Sequence, residues 1–342
     1  MTSSAGRTSA GPTSAGRTSA GPTSAARTSA ARTSAGPTSA APTATGPTPA
    51  PPLGAGISAV LGFAAALVGL LPWAVTGARL PLQNLWADSS QVDRMPHVVL
   101  PFSQYEVSFI IAMLVVGLAA AGLTARVTRA RHGRWTVLGL LAGCLGIQVA
   151  GAIQTTLVVA AGLRGGVYSL IYLVACVGVV AAGILVGLVV FALVALAPPA
   201  GAVIGLSLAA VALGSWAAGL LHPITSVTAN PAAALFGDLP RWLPAVGVGA
   251  AIAWAGIAGR ARVAAALGGL GILWLLTALI TAITYAAGSR VLLPRPVELV
   301  AALGQVFGAA ATTPMVALPP LVVAVVVAGV GLIVRRRAGP AR

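Results

Sequence analysis

Eight long apolar segments constrain this chain more than any other feature of its sequence. Each has about 20 mostly apolar residues, enough for an α-helix to cross roughly 30 Å of hydrocarbon. None alternates between apolar and polar residues as the strand of a membrane β-barrel does. The segments lie at about 55–76, 107–125, 135–161, 168–196, 201–221, 242–259, 263–286 and 315–334. The sequence therefore predicts an all-α, polytopic integral membrane protein, a bundle of eight transmembrane helices.

The charged residues exclude several functions. Only 7% of the 342 residues are charged, whereas soluble proteins have about 25%. All 20 basic residues are arginine, so the chain lacks the lysine that a P-loop or a Schiff base requires. The net charge of +15 is spread over the ends of the apolar segments, which excludes a nucleic-acid surface. A lysine-free chain rich in Ala, Gly, Pro and Arg is typical of a GC-rich bacterial genome, so we expect a bacterial plasma membrane.

The positions of the arginines predict the orientation of the chain. Short loops that stay in the cytoplasm accumulate arginine and lysine. Three groups of arginines fall on one side if the eight segments cross in alternation: Arg126, Arg129, Arg131 and Arg134; Arg260 and Arg262; and Arg335, Arg336 and Arg337. Both termini are then cytoplasmic, and these arginines can contact anionic lipid headgroups. All five acidic residues fall on the outer side: Asp88, Asp93, Glu106, Asp238 and Glu298.

The chain divides into three parts. Residues 1–53 repeat units such as TSAGR and TSAGP, and this Thr/Ser/Ala/Gly/Pro/Arg composition is typical of a disordered tail. The sequence leaves open whether residues 1–53 are translated. Residues 54–337 form the transmembrane domain, and residues 338–342 are a short basic tail. Two apolar pieces at 224–236 and 297–311 are too short to span, so we expect them to be interfacial or re-entrant helices.

Small residues four apart predict close helix packing in lipid. Such glycine pairs occur at Gly139/Gly143, Gly183/Gly187 and Gly201/Gly205.

Uncharged polar residues inside two segments are candidates for a substrate path. In the third segment these are Gln148, Gln154 and Thr155, and in the seventh they are Trp274, Thr277, Thr281 and Thr284. The alternative is that they form hydrogen bonds between helices. No ionisable residue lies near the middle of a predicted span, which argues against a proton relay through a buried carboxylate.

The uncharged polar residues of the third and seventh segments favour a permease-like or transport-associated protein for a neutral or amphiphilic solute. One alternative is an enzyme at the outer leaflet, with Asp88, Asp93 and His97 of the first outer loop as ligands or acid and base. These residues are equally typical of a solvated loop. A third hypothesis is a non-catalytic assembly protein of the cell envelope. We expect neither a metal nor a cofactor, and we expect a protein without enzymatic activity rather than an enzyme. The sequence leaves open whether the protein forms a homo- or hetero-oligomer.

Overall fold

Nine α-helices make up nearly all of the part of the chain that the structure describes. The computed structural model describes residues 53–87, 94–133, 135–221, 235–289, 291 and 295–338. In these residues β-structure is limited to isolated bridges. The helices are α1 (Ala55–Val75), α2 (Val107–Val127), α3 (Thr136–Gly162), α4 (Val167–Ala195), α5 (Pro199–Leu221), α6 (Leu239–Ala255), α7 (Arg260–Gly288), α8 (Pro296–Thr312) and α9 (Pro314–Arg337). The predicted all-α bundle of membrane type is confirmed. Residues 1–52 of the predicted tail at 1–53, and residues 224–234 of the predicted apolar piece at 224–236, lie outside the described residues.

Seven of these helices are long and apolar enough to cross a membrane, namely α1 to α5, α7 and α9. Their outward faces carry large apolar side chains such as Val60, Leu67 and Val174, which are 66%, 48% and 61% exposed. Such faces are suited to a lipid bilayer, where apolar side chains meet hydrocarbon instead of water.

The sixth predicted span, 242–259, differs from the helix that forms there. Helix α6 begins earlier, at Leu239, because Pro240 is favourable in a first helical turn. It ends at Ala255, before Gly256, whose φ of +75° is suited to glycine after a helix. The 17 residues of α6 extend over about 25 Å, at the lower limit of a membrane span.

Glycines bring α1 and α3 into backbone contact. A Cβ atom added to Gly143 would lie 2.0 Å from the Ala59 carbonyl oxygen, and one added to Gly62 would lie 2.1 Å from the Leu140 carbonyl oxygen. The predicted pair Gly183/Gly187 of α4 likewise faces α2, against Leu114 and Leu118. Close approach increases the dispersion contacts between helices, which matters in lipid because no hydrophobic force draws them together.

The buried residues form separate clusters in the two halves of the chain. One cluster lies among α1 to α4 and includes Trp73, Leu114 and Val180. It also contains Leu100 and Phe102, which belong to the loop before α2 and are fully buried. A second cluster joins α5, α6, α7 and α9. The Trp216 indole of α5 donates to the Gly69 carbonyl of α1 at 2.9 Å and so links the two halves.

Guanidinium groups meet helix carboxyl ends at one end of the bundle, which we call the arginine end. Arg126 donates to the Val194 and Ala197 carbonyls at the end of α4, and Arg129 donates to the Ala195 carbonyl. At the end of α6, Arg262 donates to the Ala255 carbonyl and Arg335 to the Trp254 carbonyl. Cations stabilise helix carboxyl ends because the helix dipole leaves partial negative charge there.

Of the other described arginines that predict the orientation, one lies beside the start of α1 and three are exposed. The backbone carbonyl of Arg131 accepts a hydrogen bond from the Leu53 amide, so the start of α1 lies at the same end. Arg260, Arg336 and Arg337 are exposed. Arg134 lies outside the described residues.

Helix α8 is the short apolar piece predicted at 297–311. Its carboxyl end lies against the middle of α7, where the Trp274 indole donates to the Ala311 carbonyl at 2.9 Å. At its amino end Arg295 and Glu298 form an exposed salt bridge of 3.2 Å. Thr313 then separates α8 from α9. Helix α8 therefore returns along α7 toward its middle.

Candidate functional site

Polar side chains from α5, α6 and α7 meet around one cavity, which we call the Thr277 cavity. It has a volume of about 530 Å³ and lies between α5, α6, α7 and α9, with the end of α8 beside it. Its polar lining comes from Ser215, Arg241, Trp274, Thr277 and Thr281. The remaining wall is apolar, with side chains such as Val211, Leu273, Val316 and Leu321. The cavity is thus a mainly apolar space with a few polar groups, as in many small-molecule sites.

The cavity lies in the half of the bundle away from the arginine end. Helix α7 begins at the arginine end and finishes at Gly288. Thr281 and Trp274 precede Gly288 by seven and fourteen residues, about 10 Å and about 21 Å along the helix axis. The polar stripe of α7 therefore extends to the middle of the helix.

The hydroxyl groups of α7 have free capacity to accept hydrogen bonds. Thr277 donates its hydroxyl hydrogen to the Leu273 carbonyl, at 2.5 Å, and Thr281 donates to the Thr277 carbonyl, at 3.0 Å. Each hydroxyl oxygen keeps lone pairs that can accept a hydrogen bond. The Ser215 hydroxyl makes no hydrogen bond with any residue in the described part of the chain. The stripe therefore offers acceptors, with Ser215 as donor or acceptor.

Arg241 brings a positive charge to the edge of the cavity. Its guanidinium carbon lies 5.1 Å from the centroid of the Trp242 ring, within the range of a cation–π contact. No carboxylate of a described residue lies within 4.0 Å of this guanidinium, because the salt bridge among the described residues joins Arg295 and Glu298. The Pro240 carbonyl packs against Gly214 of α5. Because Gly214 precedes the end of α5 by seven residues, Arg241 lies about 10 Å inside that end.

The seven predicted path residues separate into two groups. Trp274, Thr277 and Thr281 line the Thr277 cavity. Thr284, one turn further along α7, is exposed and is not part of the cavity lining. The predicted residues of α3 lie elsewhere.

Two of the α3 residues hold the loop that precedes α2. The Val99 amide donates to Gln154 Oε1 at 3.1 Å, and the Leu100 amide donates to the Thr155 hydroxyl at 3.0 Å. The amide nitrogen of Gln154 also donates to the His97 carbonyl, at 3.1 Å. These bonds satisfy loop backbone groups that have no helix partner, so Gln154 and Thr155 have a structural role in this arrangement.

Gln148 is buried among α1, α2 and α3, with 2% of its surface exposed. Its amide nitrogen donates to the Leu114 carbonyl at 2.9 Å. This nitrogen lies close to Gly117 of α2. Its Oε1 atom has no hydrogen-bond partner among the described residues. An unpaired buried amide oxygen costs about 1–3 kcal/mol.

Of the proposed catalytic residues, only His97 is described; Asp88 and Asp93 lie outside the described residues. His97 is exposed, and its Nδ1 lies 2.9 Å from the Gly77 carbonyl oxygen. Within the described ranges, no group of three or more His, Cys, Asp or Glu residues could hold a metal ion.

Sequence reasoning missed Ser215 and Arg241 as lining residues. Arg241 precedes the predicted sixth span, and only the early start of α6 brings it to the cavity. Ser215 lies in an apolar segment, and the pattern of residues around it does not distinguish a residue that lines a cavity from one that contacts another helix.

Comparisons of the chain with protein-family models, curated proteins and solved structures find no match.

Proposed function

We propose that this protein is a permease-like or transport-associated protein of a bacterial plasma membrane, and that the Thr277 cavity binds its neutral or amphiphilic solute. One observation carries the proposal. The polar stripe of α7, which the sequence favours as a substrate path, meets Ser215 and Arg241 around a single space of about 530 Å³. If the polar stripe of α7 only formed hydrogen bonds between helices, it would not be expected to border a cavity of this size.

The lining indicates the chemistry of the solute. The Thr277 and Thr281 oxygens are placed to accept hydrogen bonds, and Arg241 is placed to donate them. The wall formed by Val211, Leu273 and their neighbours is suited to hydrocarbon. A solute with a hydroxyl-bearing head and an alkyl tail satisfies both parts, since buried polar groups need partners and buried apolar groups do not.

The orientation of the chain belongs to the same proposal. We place the arginine end in the cytoplasm, where Arg126, Arg262 and Arg335 meet anionic headgroups. Helix α6 then crosses the membrane as the sixth of eight spans, and both termini are cytoplasmic. The Thr277 cavity lies in the outer half of the bilayer, with α8 as a re-entrant helix beside it.

The test is photolabelling of the full-length protein in phosphatidylcholine nanodiscs with octanol that carries a diazirine on its alkyl chain. Labelled residues are identified by peptide mass spectrometry, and we expect them in the walls of the Thr277 cavity. Thr277→Val and Thr281→Val keep the side-chain shape and remove one acceptor each. Since a neutral hydrogen bond contributes about 1 kcal/mol, each variant should raise the half-saturating concentration about fivefold.

Thr284→Val is the matched control, because it makes the same change on the same helix outside the cavity lining. It should leave the half-saturating concentration unchanged. Competition by octanol, octanoate and octylammonium, which share one chain length, ranks the headgroups. Label spread evenly over lipid-facing helices, or equal effects of all three valine variants, would overturn the proposal.

A further inference from the structure

An apolar groove opens between α2, α5 and α6 on the half of the bundle nearest the arginine end. We call it the Trp254 groove. Its volume is about 390 Å³, and every residue that lines it is apolar. Small side chains such as Ala119, Ala209 and Ala250 leave this space between the helices, and Trp254 lies where the groove meets the arginine end.

The dimensions of the groove suit an extended alkyl chain. Its walls are residues 116–123 of α2, 206–213 of α5 and 247–254 of α6. Each wall covers eight residues, about 10 Å along the helix axis. The groove therefore runs along the bundle, in the direction that a lipid acyl chain takes in a bilayer. An unfilled apolar groove would forfeit the dispersion contacts of its walls.

Positive charge surrounds the end of the groove at Trp254. The Arg126 guanidinium lies over the Trp254 ring, 5.1 Å from its centroid. Arg335 donates to the Trp254 carbonyl, and Arg262 donates to the neighbouring Ala255 carbonyl. The carboxyl ends of α4 and α6 offset only about half a charge each. Three guanidinium groups thus retain a net positive charge of about two.

Carboxylates within the described residues lie away from this end. Glu106 and Asp238 precede α2 and α6, which both finish at the arginine end, and Glu298 is paired with Arg295 at the start of α8. The charge beside the Trp254 groove therefore has no carboxylate partner in the part of the chain that the structure describes.

We propose that the Trp254 groove binds one acyl chain of an anionic phospholipid, and that Arg126 and Arg335 hold its phosphate. An anionic phospholipid combines an acyl chain, which matches the apolar groove, with a negative charge, which matches the guanidinium groups at its end. The site is separate from the Thr277 cavity and does not depend on the proposed transport function.

Native mass spectrometry of the full chain in detergent tests the proposal. The protein is incubated with equal amounts of dioleoylphosphatidylglycerol and dioleoylphosphatidylcholine, which share their acyl chains. We expect one tightly bound phosphatidylglycerol, retained about tenfold better than phosphatidylcholine, because a charge-assisted contact changes affinity by about that factor.

Two pairs of variants separate the acyl chain from the headgroup. Ala250→Phe fills the groove and should lower retention of both lipids about tenfold, whereas Ala264→Phe, on an exposed face of α7, should not. Arg335→Gln should reduce the preference for phosphatidylglycerol, whereas Arg336→Gln removes the same charge one residue away and should not. Ala250 is exposed in the groove, so its replacement should leave the fold intact, which protection of the buried Cys144 thiol from maleimide verifies.

Equal retention of the two lipids would overturn the proposal, and so would unchanged lipid binding in a folded Ala250→Phe variant. A dimer that Ala250→Phe converts to monomer, with no change in bound lipid, would assign the groove to a second copy of this chain and would also overturn it.

Discussion

Arg126→Gln is the substitution whose effect on stability the structure defines best. The Arg126 guanidinium is half-buried and joins three helices. Its Nε and Nη2 atoms donate to the Val194 and Ala197 carbonyls at the end of α4, and its guanidinium carbon lies 5.1 Å from the Trp254 ring of α6. Glutamine is shorter, uncharged and able to replace one of the two hydrogen bonds at most.

The lower limits of the contributions below add up to an expected loss of about 3.5 kcal/mol in the free energy of unfolding. A hydrogen bond from a charged donor contributes about 1.5–3 kcal/mol, and glutamine recovers about 1 kcal/mol of one such bond. Loss of the charge at the helix end costs about 0.5–1 kcal/mol. Loss of the cation–π contact costs about 1 kcal/mol.

Two buried thiols provide the assay. Cys144 and Cys176 are free and buried, so maleimide modifies them when α3 and α4 separate. Equilibrium unfolding in sodium dodecyl sulfate, followed by the fraction of labelled thiol, gives the free energy of unfolding. Arg336→Gln is the matched control, because Arg336 is exposed, and it should change the free energy by less than about 0.5 kcal/mol. A loss below about 1 kcal/mol for Arg126→Gln, or a loss equal to that of the control, would refute the reasoning.

Two further predictions use the same assay. Gly143→Ala should destabilise the protein by about 3 kcal/mol, because its Cβ would lie 2.0 Å from the Ala59 carbonyl oxygen. In the control Gly146→Ala the added Cβ has no atom within 4 Å, so this variant should be neutral or stabilising by up to about 1 kcal/mol. Equal effects of the two variants would contradict the contact between α1 and α3. Gln148→Met should be neutral or stabilising by about 1 kcal/mol, because it removes the unpaired Oε1. A loss above about 2 kcal/mol would show that Oε1 has a partner.

The positions of most helices could be predicted because hydropathy is a direct consequence of the solvent. The predicted segments 55–76 and 135–161 agree with Ala55–Val75 and Thr136–Gly162 within one residue at either end. In hydrocarbon every backbone group must find a partner within its own helix, so a long apolar run has few alternatives to a spanning helix.

The candidate site could be predicted only in part. The spacing of Trp274, Thr277 and Thr281 puts them on one face of α7, and that face lines the cavity. Helical periodicity does not reveal what lies opposite a face. Gln154 and Thr155 bind backbone amides 55 residues away in the chain, a contact set by the tertiary fold. The depth of Arg241 depends on how α6 docks against α5 at Gly214.

We propose that the arginine end is cytoplasmic and that α6 crosses the membrane to reach it. Single cysteines at Leu235, Ile257 and Ala338, which are exposed, can be labelled in right-side-out membrane vesicles with a membrane-impermeant maleimide. The buried native thiols give little background. We expect Leu235→Cys to react in sealed vesicles, and Ile257→Cys and Ala338→Cys to react only after permeabilisation. Reaction of Ile257→Cys or Ala338→Cys in sealed vesicles, or protection of Leu235→Cys, would contradict the account.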